Sequence, residues 1–312
     1  MDISNYQEDL RNCHNRISPY IHRTPVLSST LINEVVGGEV FFKCENFQKG
    51  GAYKLRGALN ASLSLSEDER AHGLVTHSSG NFAQAVSLSA QLLDIPAYIV
   101  MPSTAPAVKV AGVNTYKGQI TTCAPTIKAR EETSLEIKER TGATLLHPSN
   151  QMEVIIGQGT AAIELLQEQP HLDAIFCPVG GGGLIAGTCI AAHGTCAVYG
   201  GEPYNVDDAY RSLKSGKIET NESTDTIADG LRTTLGDVNF PIIKEYVKDI
   251  VRVTEEEIIS AMKLVWERMK IIIEPSSAVT IAAVIRSKEM WQGKKVGVIV
   301  SGGNVDLTNL PF

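Results

Sequence analysis

Apolar and polar positions along the 312 residues follow two alternating patterns. Short apolar, β-branched runs predict strands over Val40–Cys44, Gly73–His77, Ala97–Met101, Gln119–Cys123, Ala143–Leu146, Ala174–Val179, Ala197–Glu202, Ile250–Val253 and Lys295–Val300. Between them, apolar residues recur at three- and four-residue spacing and predict helices over Asn81–Leu93, Ala105–Tyr116, Thr126–Thr141, Glu153–Gln167 and Leu184–His193. Another helix follows Thr254, which with Glu257 makes a capping box ahead of Ile258, Ile259, Met262, Val265 and Met269 on one face. Strand and helix in alternation predict an α/β protein with mostly parallel strands. Ser215 to Asp225 is polar and reads as a surface loop.

Composition narrows the function. The chain is 43% hydrophobic and long enough for one large unit or two domains sharing a cleft. Its charge of -7 arises from 28 basic and 35 acidic residues without a basic cluster, so neither a nucleic-acid nor a membrane partner is expected. No stretch reaches the roughly 18 apolar residues of a bilayer span, and no signal-peptide pattern opens the chain. A soluble, cytoplasmic protein is the expectation. The six cysteines form no C-x-x-C pair, and neither disulfides nor a zinc site is indicated.

Four segments carry chemistry. Gln48 to Ala58 is a Gly-rich approach to Lys54 at the start of a helix, and small residues there allow a bound group close to the backbone. A nucleophilic lysine must be partly neutral, which burial among apolar neighbours achieves. Taken alone, Lys54 reads as one more exposed surface lysine. Ser78, Ser79, Gly80 and Asn81 lie between a strand and a helix, where free N–H groups bind a carboxylate or Ser and Asn simply cap the helix. The tetraglycine Gly180, Gly181, Gly182 and Gly183, followed by Leu184, links a buried strand to a helix and brings several N–H groups onto one phosphate. It lacks the Lys-Ser/Thr of a P-loop and makes a poor dinucleotide fingerprint. Finally, Ser301, Gly302, Gly303 and Asn304 end a strand where ligands meet parallel sheets.

Together, Gly51-Ala52-Tyr53-Lys54-Leu55-Arg56-Gly57-Ala58, Ser78-Ser79-Gly80-Asn81, the tetraglycine and Ser301-Gly302-Gly303-Asn304 resemble the serine racemase and serine/threonine dehydratase family of pyridoxal-phosphate enzymes. Gly157-Gln158-Gly159-Thr160, Ile227-Ala228-Asp229-Gly230 and Glu274-Pro275 reinforce the resemblance, which spans nearly the whole chain. It implies fold type II, as in the tryptophan synthase β chain: two open, twisted, mostly parallel α/β domains with pyridoxal 5'-phosphate between them. Residues 1–70 and 150–312 are expected to form the large cofactor-binding domain, and 71–149 a small mobile one. Lys54 is implied as the Schiff-base lysine and as a base on one face of the substrate Cα, with Ser79 facing it. Tyr53, Asn81, Ser149, Gly180 to Gly183, Leu184, Glu274 and Ser301 are implied cofactor contacts. Ser78, Ser79, Gly80, Asn81 and Ser149 are implied around the substrate. A neutral hydroxyl at the pyridine nitrogen leaves the ring a weaker electron sink than a carboxylate partner does. Two bases allow racemisation, whereas Lys54 alone allows β-elimination to a 2-oxo acid and ammonia.

The implied activity is a serine racemase and L-serine (threonine) ammonia-lyase in a homodimer, with 3-hydroxyaspartate ammonia-lyase or aspartate racemase as alternatives. A non-catalytic pyridoxal-phosphate-binding regulator is the alternative from another class. The resemblance also implies a Mg²⁺ or Ca²⁺ site at Glu202, Val206 and Asp208, consistent with all-oxygen ligands. It further implies ATP as an effector at Lys49, Gln84, Tyr116, Lys270 and Asn304. Phe82 and Ser149 depart from the family's His and Asn. For a second substrate carboxylate the available donors are Arg130, Ser149 and Asn150.

Overall fold

The computed structural model describes residues 2–105 and 107–312; Met1 and Pro106, the latter inside the helix expected over Ala105–Tyr116, lie outside the described residues. The described strands are β1 (Val26–Ser28), β2 (Glu39–Cys44), β3 (Leu74–Thr76), β4 (Ala97–Pro102), β5 (Gln119–Cys123), β6 (Thr144–Leu145), β7 (Ala174–Pro178), β8 (Ala197–Pro203), β9 (Val247–Val253) and β10 (Lys295–Val300). They form two sheets, a six-stranded one in the order β1-β2-β10-β7-β8-β9 and a four-stranded one in the order β5-β4-β3-β6. Every pairing is parallel except β1 with β2. This is the α/β, mostly parallel arrangement the apolar runs predict.

The central strands of the larger sheet are buried along nearly their whole length, as in β7 (AIFCP) and β10 (KVGVIV). Such continuous apolar runs arise when helices cover both faces of a parallel sheet. The Pro275–Arg286 helix packs on β7, β8, β9 and β10, and the Met152–Glu168 and Gly183–Ala192 helices also pack on this sheet.

Two elements escape the sequence pattern for opposite reasons. Strand β1 has three residues, too few for a period to register, and exists because Val26 to Ser28 pair antiparallel with Lys43 to Phe41. The Pro275–Arg286 helix is buried from Ser276 to Val284, so no polar face marks its period. Strand β9 begins at Val247 rather than at Ile250, because Lys248 and Asp249 interrupt the apolar run, while the pairing to β8 continues across a register shift that leaves Lys248 without a partner in the ladder.

Gly157 and Gly159, part of the segment that supported the family resemblance, prove to be packing residues. A Cβ on Gly157 would lie 2.5 Å from Gly57 Cα, and one on Gly159 would lie 2.5 Å from Gly187 O. The Lys54–Leu63, Met152–Glu168 and Gly183–Ala192 helices therefore touch backbone to backbone. Beside them, Arg56 is fully buried and bonds Glu45 through Nε at 2.7 Å and Glu164 through Nη2 at 2.8 Å. Lys43, also fully buried, reaches Glu164 at 2.6 Å. Burial pushes the Glu164 carboxyl up, but Arg56 and Lys43 outweigh it and hold the group below the usual carboxylate range. These contacts anchor the helix that begins at Lys54.

Candidate active site

Four strand ends deliver the site: β10 leads into Ser301, β7 into the tetraglycine, β3 into Ser78 and Ser79, and β6 into His147 to Ser149. Ligands of open parallel sheets collect at such carboxyl ends. Lys54 stands at the first position of its helix, half-buried, and its Nζ donates to Pro148 O at 3.0 Å. It also lies over the rings of Tyr53 and Phe82, at 5.0 and 5.8 Å from their centroids. Burial lowers its pKa to about 8, although the Glu274 carboxylate pulls the other way. Among the described residues the lysine thus has no carboxylate bonded to it, and its lowered pKa gives it a larger neutral fraction than an ordinary lysine.

The approach to Lys54 is fixed by the end of β10. Tyr53 N donates to Ser301 O at 3.0 Å, Gly303 N donates to Gly51 O at 2.9 Å, and Ala52 pairs antiparallel with Gly302. A Cβ on Gly302 would lie 2.9 Å from Glu274 Oε1 and 3.0 Å from Ala52 Cβ, so only glycine lets these segments meet. Burial, with Glu274 adding to it, pushes the Tyr53 phenol up, so it stays protonated. The Ser301 hydroxyl lies 3.0 Å from Ser277 Oγ, which also donates to Gly302 O and accepts from Gly302 N. No carboxylate contacts Ser301 among the described residues.

Gly182 adopts φ +80°, and a Cβ there would strike Leu235, Asn239 and Ile243. The turn leaves the amides of Gly180, Gly181 and Gly182 without a protein acceptor among the described residues, ahead of a helix with no side-chain cap. Converging free amides at a helix N-terminus suit a phosphate. Behind the turn, Asn239 Nδ2 donates to Gly181 O at 2.7 Å and Ser149 O at 3.0 Å. Ser149 is buried against Gly181 and Gly183.

On the four-stranded sheet's side, Gly80 N donates weakly to Ser78 Oγ at 3.4 Å, while the Ser79, Asn81 and Phe82 amides have no acceptor among the described residues. A Cβ on Gly80 would meet nothing within 4 Å, which marks open space over this loop. The Ser79 hydroxyl likewise has no partner among the described residues. Asn81 Nδ2 contacts both oxygens of Glu274 at 3.0 Å, and its Oδ1 accepts from Asn304 at 3.0 Å. Burial raises the Glu274 pKa to about 7 against the pull of Asn81. A further contact joins the two sheets' sides, an ion pair of Lys109 with Asp229.

Of the three donors expected for a second substrate carboxylate, Asn150 is otherwise engaged: it donates to Asp237 at 2.7 Å and accepts from Val238 N at 2.8 Å. Ser149 packs against the glycine turn, whereas Arg130 Nε is buried with no hydrogen-bond partner among the described residues.

Glu202 and Asp208 are both fully buried and adjacent; Glu202 accepts from the Ala209 and Tyr210 amides at 2.9 and 2.8 Å. Burial and then Asp208 push the Glu202 carboxyl well up, and burial raises Asp208 to about 6. Among the described residues no cationic side chain bonds either one. Val206 is buried in the turn between them. No group of three His, Cys, Asp or Glu that could hold a metal exists among the described residues, so a cation here would complete its shell with carbonyl and water oxygens. Lys49 Nζ donates to Tyr20 O at 2.7 Å, and Asn304 Nδ2 donates to Gly50 O, one residue after Lys49, at 2.8 Å. Gln84 follows on the same helix as Asn81, and no hydrogen bond or ion pair among the described residues links Tyr116 or Lys270 to this group.

Sequence reasoning missed His147, Ser277, Asn239 and the Lys109–Asp229 pair. Only His147 left a signal, standing directly after a predicted strand in a His-Pro-Ser-Asn turn.

Comparison with known proteins agrees with this geometry. The model of the pyridoxal-phosphate-dependent enzyme family matches residues 17–302. The chain is 50% identical to a serine racemase of Dictyostelium discoideum, over 97% of this chain and 96% of the relative. It is 46% identical to a β-hydroxyaspartate dehydratase of Paracoccus denitrificans, over 98% of both chains. The solved structure of maize serine racemase superposes with a TM-score of 0.95 at 46% identity, covering 96% of this chain and 94% of that one.

Proposed function

The chain belongs to the pyridoxal-phosphate-dependent enzymes, and from that premise we propose that it racemises serine and eliminates ammonia from serine, threonine and related hydroxy-amino acids. The observation that carries this reading is Lys54: a lysine whose burial lowers its pKa to about 8 and whose partner is a backbone carbonyl. Such an amine can act as nucleophile and base.

The bound cofactor supplies a conjugated ring that acidifies the substrate Cα–H. The Gly180 to Gly183 turn, with Leu184, would hold its phosphate, and Ser301 would offer a neutral hydroxyl to its ring nitrogen. Tyr53, Asn81, Ser149 and Glu274 would complete its binding site. The unpaired amides of Ser79, Asn81 and Phe82 bind the substrate carboxylate, assisted by Ser78 and Gly80. Lys54 Nζ moves the Cα proton on one face and Ser79 Oγ serves the other. Reprotonation by Ser79 inverts the centre; departure of the β-hydroxyl with a proton, as water, leaves an enamine product whose imine tautomer is hydrolysed by one water to 2-oxo acid and ammonia.

Residues 71–149, which include β3 to β6, form the smaller moving unit in this reading, and residues 1–70 with 150–312 the larger. Glu202, Asp208 and the Val206 carbonyl hold Mg²⁺ or Ca²⁺, a fit supported by two buried carboxylates with no cationic partner. ATP binds at Lys49, Gln84, Tyr116, Lys270 and Asn304 in a homodimer; the exposed apolar residues Phe47 and Ile272 support an interface nearby. The protein works in the cytoplasm; no helix among the described residues is long and apolar enough to cross a membrane.

Arg130 favours a second reading, 3-hydroxyaspartate dehydration or aspartate racemisation, because its buried Nε lacks a partner and could receive a second carboxylate. One experiment separates these readings: incubate holoenzyme with L-Ser, D-Ser, L-Thr, L-Asp and 3-hydroxyaspartate in D₂O, with and without Mg²⁺ and ATP. Oxo acid, enantiomer ratio and Cα deuterium are measured. Exchange of serine enantiomers with deuterium incorporation is expected. Oxo acid without enantiomer exchange reduces the protein to a dehydratase, and no product from any substrate removes the proposal.

A further inference from the structure

His147 is placed at the end of β6, where Leu146 N bonds Val75 O at 2.8 Å and Thr76 Oγ1 bonds Leu146 O at 2.9 Å. From there the chain turns sharply, and the imidazole fills the inside of the turn. Its Nδ1 accepts from Ser149 N at 3.2 Å and from Asn150 N at 2.8 Å, while the backbone N–H of His147 donates to Gln151 Oε1 at 3.1 Å. An imidazole nitrogen facing two amide donors must present a lone pair, so the ring's single proton resides on Nε2. An imidazolium would set a third donor against those two amides.

The turn that this ring organises presents two groups to the site. The Pro148 carbonyl accepts from Lys54 Nζ at 3.0 Å, and Ser149 lies against Gly181, with its own carbonyl held by Asn239. We propose that His147, locked as the neutral Nε2–H tautomer by the Ser149 and Asn150 amides, is a positioning residue that holds the Pro148 carbonyl in place as the polar anchor of Lys54. The proposal rests on the reading of Lys54 as the cofactor lysine. The surroundings keep the ring neutral: burial acts first, His77 lies 6.0 Å away between ring centroids, and Lys54 adds a positive charge. Only Asp237 favours the charged ring, and its carboxylate is already bonded to Asn150. Together they lower the His147 pKa to about 4.

The role predicts a difference between two substitutions. His147→Asn puts an amide oxygen near the Nδ1 position and keeps an acceptor for the two amides, whereas His147→Phe keeps a ring and removes the acceptor. In holoenzyme, His147→Phe should lower kcat at least about tenfold with KM for serine changed less than about threefold, since the substrate is not what the turn holds. It should also speed cofactor loss on dialysis, and His147→Asn should restore both to within about threefold of the parent. Borohydride trapping of the parent, followed by peptide mass mapping, locates the cofactor lysine independently. Attachment elsewhere than Lys54 overturns the underlying reading and the proposal with it. With attachment at Lys54, parental kcat and cofactor retention in His147→Phe overturn the positioning role alone. Equal impairment of both variants with a common drop in melting temperature also overturns it, because the ring would then serve only general packing.

Discussion

Asn81 places its Nδ2 within 3.0 Å of both carboxylate oxygens of Glu274, tying the helix that follows β3 to the helix that underlies the larger sheet. This contact lies where the two sheets face each other, and its acid partner is buried with a pKa raised to about 7. A raised carboxyl pKa means the folded protein binds a proton that the unfolded chain has lost. Its contribution to stability is full below about pH 4.5 and lost as pH rises through about 7. The apoprotein should therefore lose up to about 3 kcal/mol relative to Glu274→Gln over that window, from 1.36 kcal/mol per tenfold change in proton affinity. Chemical denaturation of both proteins between pH 4 and 8 checks this; parallel stability profiles would falsify it.

Lys54 titrates in the opposite sense. Its depressed pKa of about 8 leaves an appreciable neutral fraction at pH 7 to 8. In the apoprotein, labelling of Lys54 by an amine-selective reagent should reach half its maximal rate near pH 8, well before surface lysines at about 10.4. Peptide-resolved mass spectrometry reads both at once, and a Lys54 profile coincident with the surface lysines contradicts the assignment.

At Gly182 the left-handed backbone and the crowding of Leu235, Asn239 and Ile243 leave no room for a side chain. Gly182→Ala should cost about 1–2 kcal/mol of stability from the left-handed conformation alone. The displaced amides should weaken pyridoxal-phosphate binding by more than tenfold, measured by equilibrium dialysis against the free cofactor.

Removing the Glu164 carboxylate leaves two fully buried cations, Arg56 and Lys43, short of a partner. Glu164→Ala should destabilise the fold by about 3–5 kcal/mol. A denaturation midpoint within experimental error of the parent's would show that the network relaxes without penalty.

For the paired carboxylates Glu202 and Asp208, a divalent cation offers the opposite charge that no side chain supplies. Saturating Mg²⁺ at about a hundredfold excess over its Kd should stabilise the protein by about 2.7 kcal/mol. Thermal melts of the parent and of Asp208→Asn with Mg²⁺ or Ca²⁺ test it, and an equal response from both removes the cation from this site.

Much of this architecture is legible in the sequence because its strands are short, apolar and separated by periodic helices. The predicted bounds of β5 and β10 and of the Asn81–Leu93 helix coincide with the structure. What escaped is what periodicity cannot encode: a helix without a polar face, a three-residue edge strand, and partners distant in sequence. Asn239 supports the glycine turn from 58 positions away, and Glu274 meets Asn81 across 193. The glycine turn was visible because four consecutive glycines are costly in regular structure, whereas Lys54 stood out only in combination with the other three segments. His147 left only its place after a predicted strand as a signal, since its role depends on the ring lying inside the turn, where it meets the Ser149 and Asn150 amides.

The glycine contacts at Gly57 and Gly157 have an evolutionary reading. A reactive amine carried on a helix that is registered through main-chain atoms keeps its position when side chains around the pocket rim change. Substrate preference can then drift through residues such as Phe82 and Ser149 while the lysine stays in register. A scaffold of this kind is suited to acquire new substrates by neutral steps, and the same property makes Gly57 and Gly157 poor choices for mutagenesis libraries aimed at altering them.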